Sequence, residues 1–275
     1  MNKEVFVVQN EVIVPKSELF EPLKNVSVVY EVLRIIDRVP LFFNEHFDRM
    51  ANSCRTIGFN FAYNSNQLLS LLFDLTEKNN VSEGNIMLKV FFDGNIQYFS
   101  AQFIAHAYPD IKCYANGVEV GLLYASRINP EAKVVQSAIR DKANMQITET
   151  GVYEVLLVNE NNEITEGSRS NLFFVKNGEL FTSPLNNVLK GITLSKVIDL
   201  AKQINIFIHY KLFNATDMVK FDSAFLTGTS PRILPISKAG NICFDVENTM
   251  MRQLMLEYNK LIALNIEQTK KLFKK

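Results

Sequence analysis

Nothing in this chain has the spacing of a metal site or of a disulfide framework. Its three cysteines, Cys54, Cys113 and Cys243, lie far apart with no C-x-x-C pair, which suits reduced thiols in the cytoplasm. The three histidines, His46, His106 and His209, are equally dispersed, so no metal is expected. Basic and acidic residues balance at 29 each, giving a net charge of zero. That balance argues against a polyanion or an anionic membrane surface as partner, and nucleic-acid binding is set aside. No segment approaches the roughly 18 uninterrupted apolar residues needed to cross a bilayer. The start, Met1 to Val8, carries an acidic residue early and reads as a strand, not as a signal peptide. Internal repeats are absent, and the only biased tract is the basic tail Lys270 to Lys275, expected to be a solvated end.

What is present is core material. A hydrophobic content of 47% over 275 residues is ample for one large domain or two modest ones. Period-2 patterns predict strands around Val5–Val8 and Glu11–Val14. The β-rich run Val28–Ile36 is followed by Asp37-Arg38-Val39-Pro40, which can turn the chain into a hairpin. Asn44 is expected to cap a helix that carries Phe47, Met50, Cys54 and Ile57 and stops near Gly58. A second helix is predicted over Ser65–Lys78, then strands over Ile86–Phe92 and Gln97–Ala105 with an Asp93-Gly94 turn between them. Beyond Tyr108-Pro109-Asp110, strands are expected at Lys112–Tyr114 and Val118–Leu122, and a helical region at Ser126–Thr150. Strands at Glu154–Val158, Asn171–Val175 and Glu179–Thr182 come next, then a helix at Thr193–Ile204. Strands at Ile206–Lys211 and Ser223–Thr227 and a last helix from Val246 to about Leu264 complete the pattern.

One stretch stands out: Glu163-Ile164-Thr165-Glu166-Gly167-Ser168-Arg169-Ser170-Asn171. It places Glu166 at a strand end, directly before a small-polar turn. By itself this is an ordinary solvated loop carboxylate. Two further features share a chemistry with it. The helix start at Gly191-Ile192-Thr193 offers backbone N–H groups and a positive dipole end, which suits a phosphate. Thr227-Gly228-Thr229-Ser230 leaves a strand into a glycine-containing turn with hydroxyls and more N–H donors. Arg49 can add a fixed positive charge, or can be a plain surface residue of its helix.

These segments resemble the class IV, or fold-type IV, pyridoxal-phosphate (PLP)-dependent aminotransferases, which include branched-chain and D-amino acid aminotransferases and 4-amino-4-deoxychorismate lyase. The resemblance runs through Tyr30-Glu31-Val32-Leu33-Arg34, Phe43-Asn44-Glu45-His46-Phe47-Asp48-Arg49, Ile164 to Phe173 and Phe225 to Pro235. It implies an α+β, two-domain fold: a small N-terminal α/β sandwich of residues 1–112 and a larger C-terminal PLP-binding domain of residues 113–275, mixed, β-barrel-like and bearing helices. It also implies a homodimer whose cleft the neighbouring subunit completes.

Residue roles follow from the same resemblance. The family's Schiff-base lysine lies eighteen residues before the glycine that opens the strand matching Gly151-Val152-Tyr153-Glu154-Val155. That position is Lys133, not the more conspicuous Lys142. A lysine desolvated in a cleft can lose its proton and attack an aldehyde. Glu166 matches the carboxylate facing the pyridine nitrogen, where an anion favours the protonated ring. Arg49, the amides of Ile192 and Thr193, and Thr229 match the phosphate cradle. Tyr30, Lys89 and Ser230 are the candidate substrate-facing residues. Lys89 shares a strand face with Met87 and Phe91 and either receives a substrate carboxylate or snorkels from the strand.

Three departures from the family pattern bear on substrate recognition more than on the cofactor. Val134-Val135-Gln136 follows Lys133 where an asparagine is common. Asp93-Gly94 stands in place of an arginine-glycine pair, and Asn25-Val26-Ser27-Val28-Val29 replaces a glycine-rich lead-in. The function expected is amino-group transfer between an amino acid and a 2-oxo acid. The alternatives are release of 4-aminobenzoate and pyruvate from 4-amino-4-deoxychorismate, and a non-catalytic scaffold of the same fold.

Overall fold

The computed structural model describes residues 5–19, 26–93, 96–127, 131–134 and 137–273. Backbone packing divides the chain into two compact units. One comprises Met1–Ala107, Ala132–Val135 and Ile262–Lys275, the other Tyr108–Glu131 and Gln136–Leu261. The sequence suggests a single cut between residues 112 and 113. In the structure the chain changes unit at 107/108, and two distant segments return to the first unit.

The first unit contains β1 (Phe6–Gln9), β2 (Val12–Pro15), β3 (Val28–Ile36), β4 (Val39–Pro40), α1 (Phe43–Thr56), α2 (Ser65–Lys78), β5 (Gly84–Asp93) and β6 (Ile96–Ile104). Its strands form a six-stranded sheet in the order β2-β1-β6-β5-β3-β4, every neighbour antiparallel. Alternation along β3 and β5 sends Val29, Leu33, Ile86, Leu88 and Val90 to one face. There Met50 and Cys54 of α1 and Leu68, Leu72 and Leu75 of α2 close the core. The β3–β4 hairpin turns at Asp37 and Arg38, both with positive φ (52° and 65°), the backbone of a two-residue primed turn. The Asp93-Gly94 turn falls partly outside the described residues.

The α1 start departs from the expectation that Asn44 caps it. The helix already includes Asn44, and the cap is Phe42 in the left-handed region, φ 52°, with no side-chain cap bond. Such a conformation is costly for a bulky residue. Its N–H is received by Asn265 Oδ1 at 3.0 Å, a partner that no local pattern reveals. Helix α2, in contrast, begins where the sequence places it, because Asn64 accepts from the amides of Asn66 and Gln67.

The second unit holds α3 (Ile111–Asn116), β7 (Val118–Tyr124), α4 (Ser137–Thr150), β8 (Glu154–Val158), β9 (Glu163–Gly167), β10 (Asn171–Lys176), β11 (Glu179–Thr182), α5 (Ile192–Gln203), β12 (Ile208–Tyr210), β13 (Phe213–Asn214), β14 (Ser223–Gly228), β15 (Arg232–Ala239), β16 (Ile242–Cys243) and the greater part of α6 (Thr249–Phe273). Its ten-stranded sheet runs β12-β11-β10-β14-β15-β7-β8-β9-β13, with β16 on β15. The β15–β7, β7–β8 and β11–β12 pairs are parallel, so the sheet is mixed, and it curls into a half-barrel. One face buries Leu156, Leu172, Phe174, Leu226 and Leu234. On β10 and β14, Phe173 and Phe225 stack at 5.1 Å, and α5 packs against β14.

Three expected elements are corrected here. Lys112–Tyr114 is helical, not a strand, because Asp110 caps α3 by accepting the Cys113 amide at 2.8 Å. Helix α4 begins at Ser137, not at Ser126, and Val134 forms a bridge to Val29 of β3. Helix α6 runs on past Leu264 to Phe273, where Lys270 of the basic tail pairs at the surface with Asp37 at 3.2 Å.

Removing the acceptor for the Phe42 amide should be felt. Asn265→Ala is expected to lower unfolding stability by about 1–3 kcal/mol, with Asn265→Asp keeping most of it. Denaturant titration checks this, and equal losses in the two variants would show that the acceptor is not what matters.

Candidate active site

In the first unit Tyr30, Lys133 and Lys89 gather at the start of β3, Lys133 along the side where β4 pairs only with Ile35 and Ile36. Tyr30 N donates to Lys133 O at 3.1 Å, and the Lys133 amide donates to Ser53 Oγ at 3.1 Å. Two backbone bonds thus seat the lysine between a strand edge and α1. Lys133 Nζ lies 4.7 Å from the centre of the Tyr30 ring, a cation–π arrangement. On the neighbouring strand Lys89 is the direct register partner of Tyr30, so Tyr30 and Lys89 share one face of the sheet.

Glu31, one residue on, points to the opposite face. Arg49 grips it with Nε on Oε1 and Nη2 on Oε2, both at 2.7 Å, and His46 Nδ1 lies 2.8 Å from Oε2. Both Glu31 and His46 are buried. Arg49 is therefore no loose surface cation: α1 places it one turn beyond His46, and β3 supplies the carboxylate that fixes it. Burial raises the Glu31 pKa, but the charge and hydrogen bonds of Arg49, with those of His46, outweigh it and hold the group at about 2. For His46 burial is the largest influence and lowers its pKa; Glu31 opposes this, while Arg49 and Lys133 add to it. Glu31, His46 and Ser53 are the members of this cluster that sequence reasoning missed; Glu31 and His46 sit inside the quoted matches, but only their contacts give them a role.

In the second unit Glu166 stands near the end of β9, where the sequence puts it, but it is only 2% exposed, not solvated. Arg127 Nε approaches Oε1 at 2.7 Å, and Asn171 Nδ2 donates to Oε2 at 3.2 Å. The following turn is held by a second buried acid. Glu154 accepts from Ser168 Oγ at 2.5 Å and from Val155 N at 3.1 Å on Oε1, and from Arg169 N at 3.2 Å and Ser170 Oγ at 3.3 Å on Oε2. A Cβ at Gly167 would overlap Ser170 Oγ, which is why glycine follows Glu166.

Asn171 links this carboxylate to the helix start. Its Nδ2 also donates to Leu189 O at 2.8 Å, and a Cβ at Gly191 would overlap its Oδ1. Gly191 caps α5 with no side-chain bond, so the first-turn amides, those of Ile192 and Thr193 among them, are the donors a helix leaves without intrahelical partners. The Thr193 hydroxyl is engaged by Tyr258 at 3.2 Å, which reserves the backbone for any anion. Beside Asn171 in the β10–β14 register, Thr227 has a buried hydroxyl with no partner among the described residues. Thr229 and Ser230 form the half-buried turn from β14 into β15. Sequence reasoning missed Arg127, Asn171 and Glu154: Asn171 and Glu154 sit inside quoted segments, but only their contacts give them a role, and Arg127 acts through a partner distant in the chain.

The Glu31 cluster makes stability depend on pH with a definite sign. The folded pKa values of Glu31 and His46 both lie below their ordinary values, so the unfolded chain takes up the protons first as pH falls. Stability should decline below about pH 6.5 through His46 and further between about pH 4.5 and 2 through Glu31, each by at most about 1.4 kcal/mol per pH unit. Urea unfolding across pH should show His46→Gln flattening the upper limb and Glu31→Gln the lower one; unchanged profiles would refute the assignment.

Comparison with known proteins bears on the whole chain. Residues 28–239 match the family described as Amino-transferase class IV. A Thermotoga maritima protein named as a branched-chain-amino-acid aminotransferase is 28% identical over 254 residues, covering 88% of either chain. The D-alanine aminotransferase of Listeria monocytogenes is 28% identical over 233 residues, 76% of this chain and 77% of that one. The solved structure of a Legionella pneumophila protein named as a 4-amino-4-deoxychorismate lyase superposes with a TM-score of 0.80 at 20% identity, covering 89% of this chain and 97% of the other. With the family pattern spanning most of its length, this chain is an enzyme of the class IV aminotransferase family, and its fold is fold-type IV.

Proposed function

We propose that the protein is a PLP-dependent aminotransferase that moves an amino group between an amino acid and a 2-oxo acid. The observation that carries this reading is the arrangement around Glu166. A buried carboxylate with a cation on one oxygen is joined through Asn171 to an uncapped helix start and a turn rich in hydroxyls. The residues fit the cofactor: the α5 amides and dipole suit a dianionic phosphate, the buried Thr227 hydroxyl awaits a partner, and Glu166 suits a protonated ring nitrogen.

When bound, PLP supplies an electron sink for charge developing at the substrate's α-carbon. The chain's own residues do the rest. Lys133 supplies the amine that attaches the cofactor, and its Nζ moves a proton to and from the reacting carbon. Glu166 holds a proton at the ring nitrogen. Arg49, the Ile192 and Thr193 amides and Thr229 hold the phosphate, with Arg49 kept in place by Glu31. Tyr30, Lys89 and Ser230 face the substrate, and Lys89 is the candidate cation for its carboxylate. A homodimer in the cytoplasm belongs to the same reading, and sedimentation tests the dimer.

The second reading, 4-amino-4-deoxychorismate lyase, draws on the fold likeness to the Legionella pneumophila protein and on Asp93-Gly94 and Lys89 in place of the family's arginine-glycine pair. The two readings separate by substrate. An amino acid with 2-oxoglutarate or pyruvate should give transamination, whereas 4-aminobenzoate release with no transamination would overturn the first reading in favour of the second. Lys133→Ala should abolish the visible absorbance of the PLP-reconstituted protein and cut turnover by at least about 10²–10⁴-fold. Glu166→Gln should leave a folded protein that binds PLP and turns over far more slowly. A colourless wild type that cannot be reconstituted rejects both readings.

A further inference from the structure

We propose that Arg127 is the positioning residue of this site: its guanidinium forms an ion pair with the Glu166 carboxylate, Nε lying 2.7 Å from Oε1, and Nη2 donates a hydrogen bond to Ser168 O of the adjoining turn at 2.8 Å. The proposal rests on the reading of Glu166 as partner of the cofactor ring. A carboxylate this deeply buried takes up a proton unless a charge or several donors compensate it. Asn171 donates to Oε2 but is neutral and also serves Leu189 O. Arg127 brings a cation to the other oxygen, Oε1. An ion pair at Oε1 and a hydrogen bond at Oε2 together favour the charged carboxylate in one orientation.

The choice of arginine has a geometric reason. One planar fork reaches a carboxylate oxygen and a backbone carbonyl two residues further on, which a lysine ammonium on a flexible stem does with less fixed geometry. The side chain is 14% exposed, so the pair is screened less than a surface ion pair. Arg127 lies on the segment leaving β7, while Glu166 and Ser168 lie at and beyond the end of β9. The contact therefore crosses the β7–β8–β9 layer of the sheet and locks the turn to it.

The test is a double-mutant cycle with Arg127→Met, Glu166→Gln and the double variant, with Arg127→Lys as a conservative fourth. PLP affinity of the apoprotein, thermal unfolding without PLP, and turnover of the reconstituted enzyme are all read. Arg127→Met is expected to weaken PLP binding and slow turnover by about tenfold each, with Arg127→Lys partly restoring both. In the Glu166→Gln background the same substitution should change either by less than about threefold. Equal losses in both backgrounds would overturn the proposal while leaving Glu166 its role. If Glu166→Gln itself leaves PLP affinity and turnover unchanged, the reading of Glu166 fails. The unfolding midpoints without PLP then decide the pair: non-additive shifts uphold it, and additive shifts reject it.

Discussion

A carboxylate taken out of water must find cations or hydrogen-bond donors, and among the described residues this protein buries three, Glu31 in the first unit and Glu154 and Glu166 in the second. Each is met differently. Glu31 receives a bidentate arginine and a histidine. Glu154 receives neutral donors from the turn at Ser168–Ser170. Glu166 receives one arginine and one amide. An uncompensated buried charge costs several kcal/mol, so these partners hold strand edges, a helix and a turn in place as much as they hold charges.

The two clusters do complementary things. In the first unit, Glu31 and His46 make Arg49 a preset cation, and the β3 edge seats Lys133 by its backbone beside Tyr30. In the second unit, Glu154 fixes a turn so that the residue before it, Glu166, is presented at one orientation. Glu154 is met by neutral donors within its own layer, the pattern of a structural acid. Glu166 is met by an arginine on one oxygen and an amide on the other.

Some of this was legible in the residues. Glu166 at a strand end before a polar turn, the α5 start at Gly191 and the Thr227–Ser230 turn stand where the pattern put them. Helix α2 begins at the cap its sequence announces, because Asn64 acts on amides two and three residues away. The misreadings share one cause. Asn44 looked like a cap, yet the true start is a strained Phe42 whose amide is received by Asn265. Lys112–Tyr114 is too short for periodicity to tell strand from helix, and Asp110 decides it through one hydrogen bond. Helix α6 was expected to end near Leu264, but it runs on to Phe273, and its Asn265 receives the Phe42 amide.

The sequence alone determined what acts between neighbours in the chain: strand and helix periods, local caps, glycine turns, and the spaced motifs that mark the family. Only the tertiary structure decided which charge meets which. Arg127 with Glu166, Arg49 with Glu31, and Asn171 with Leu189 are contacts between residues remote in sequence. An ion pair leaves no period or spacing behind it, because its energy depends on distance and burial in space, and those exist only once the sheets have formed.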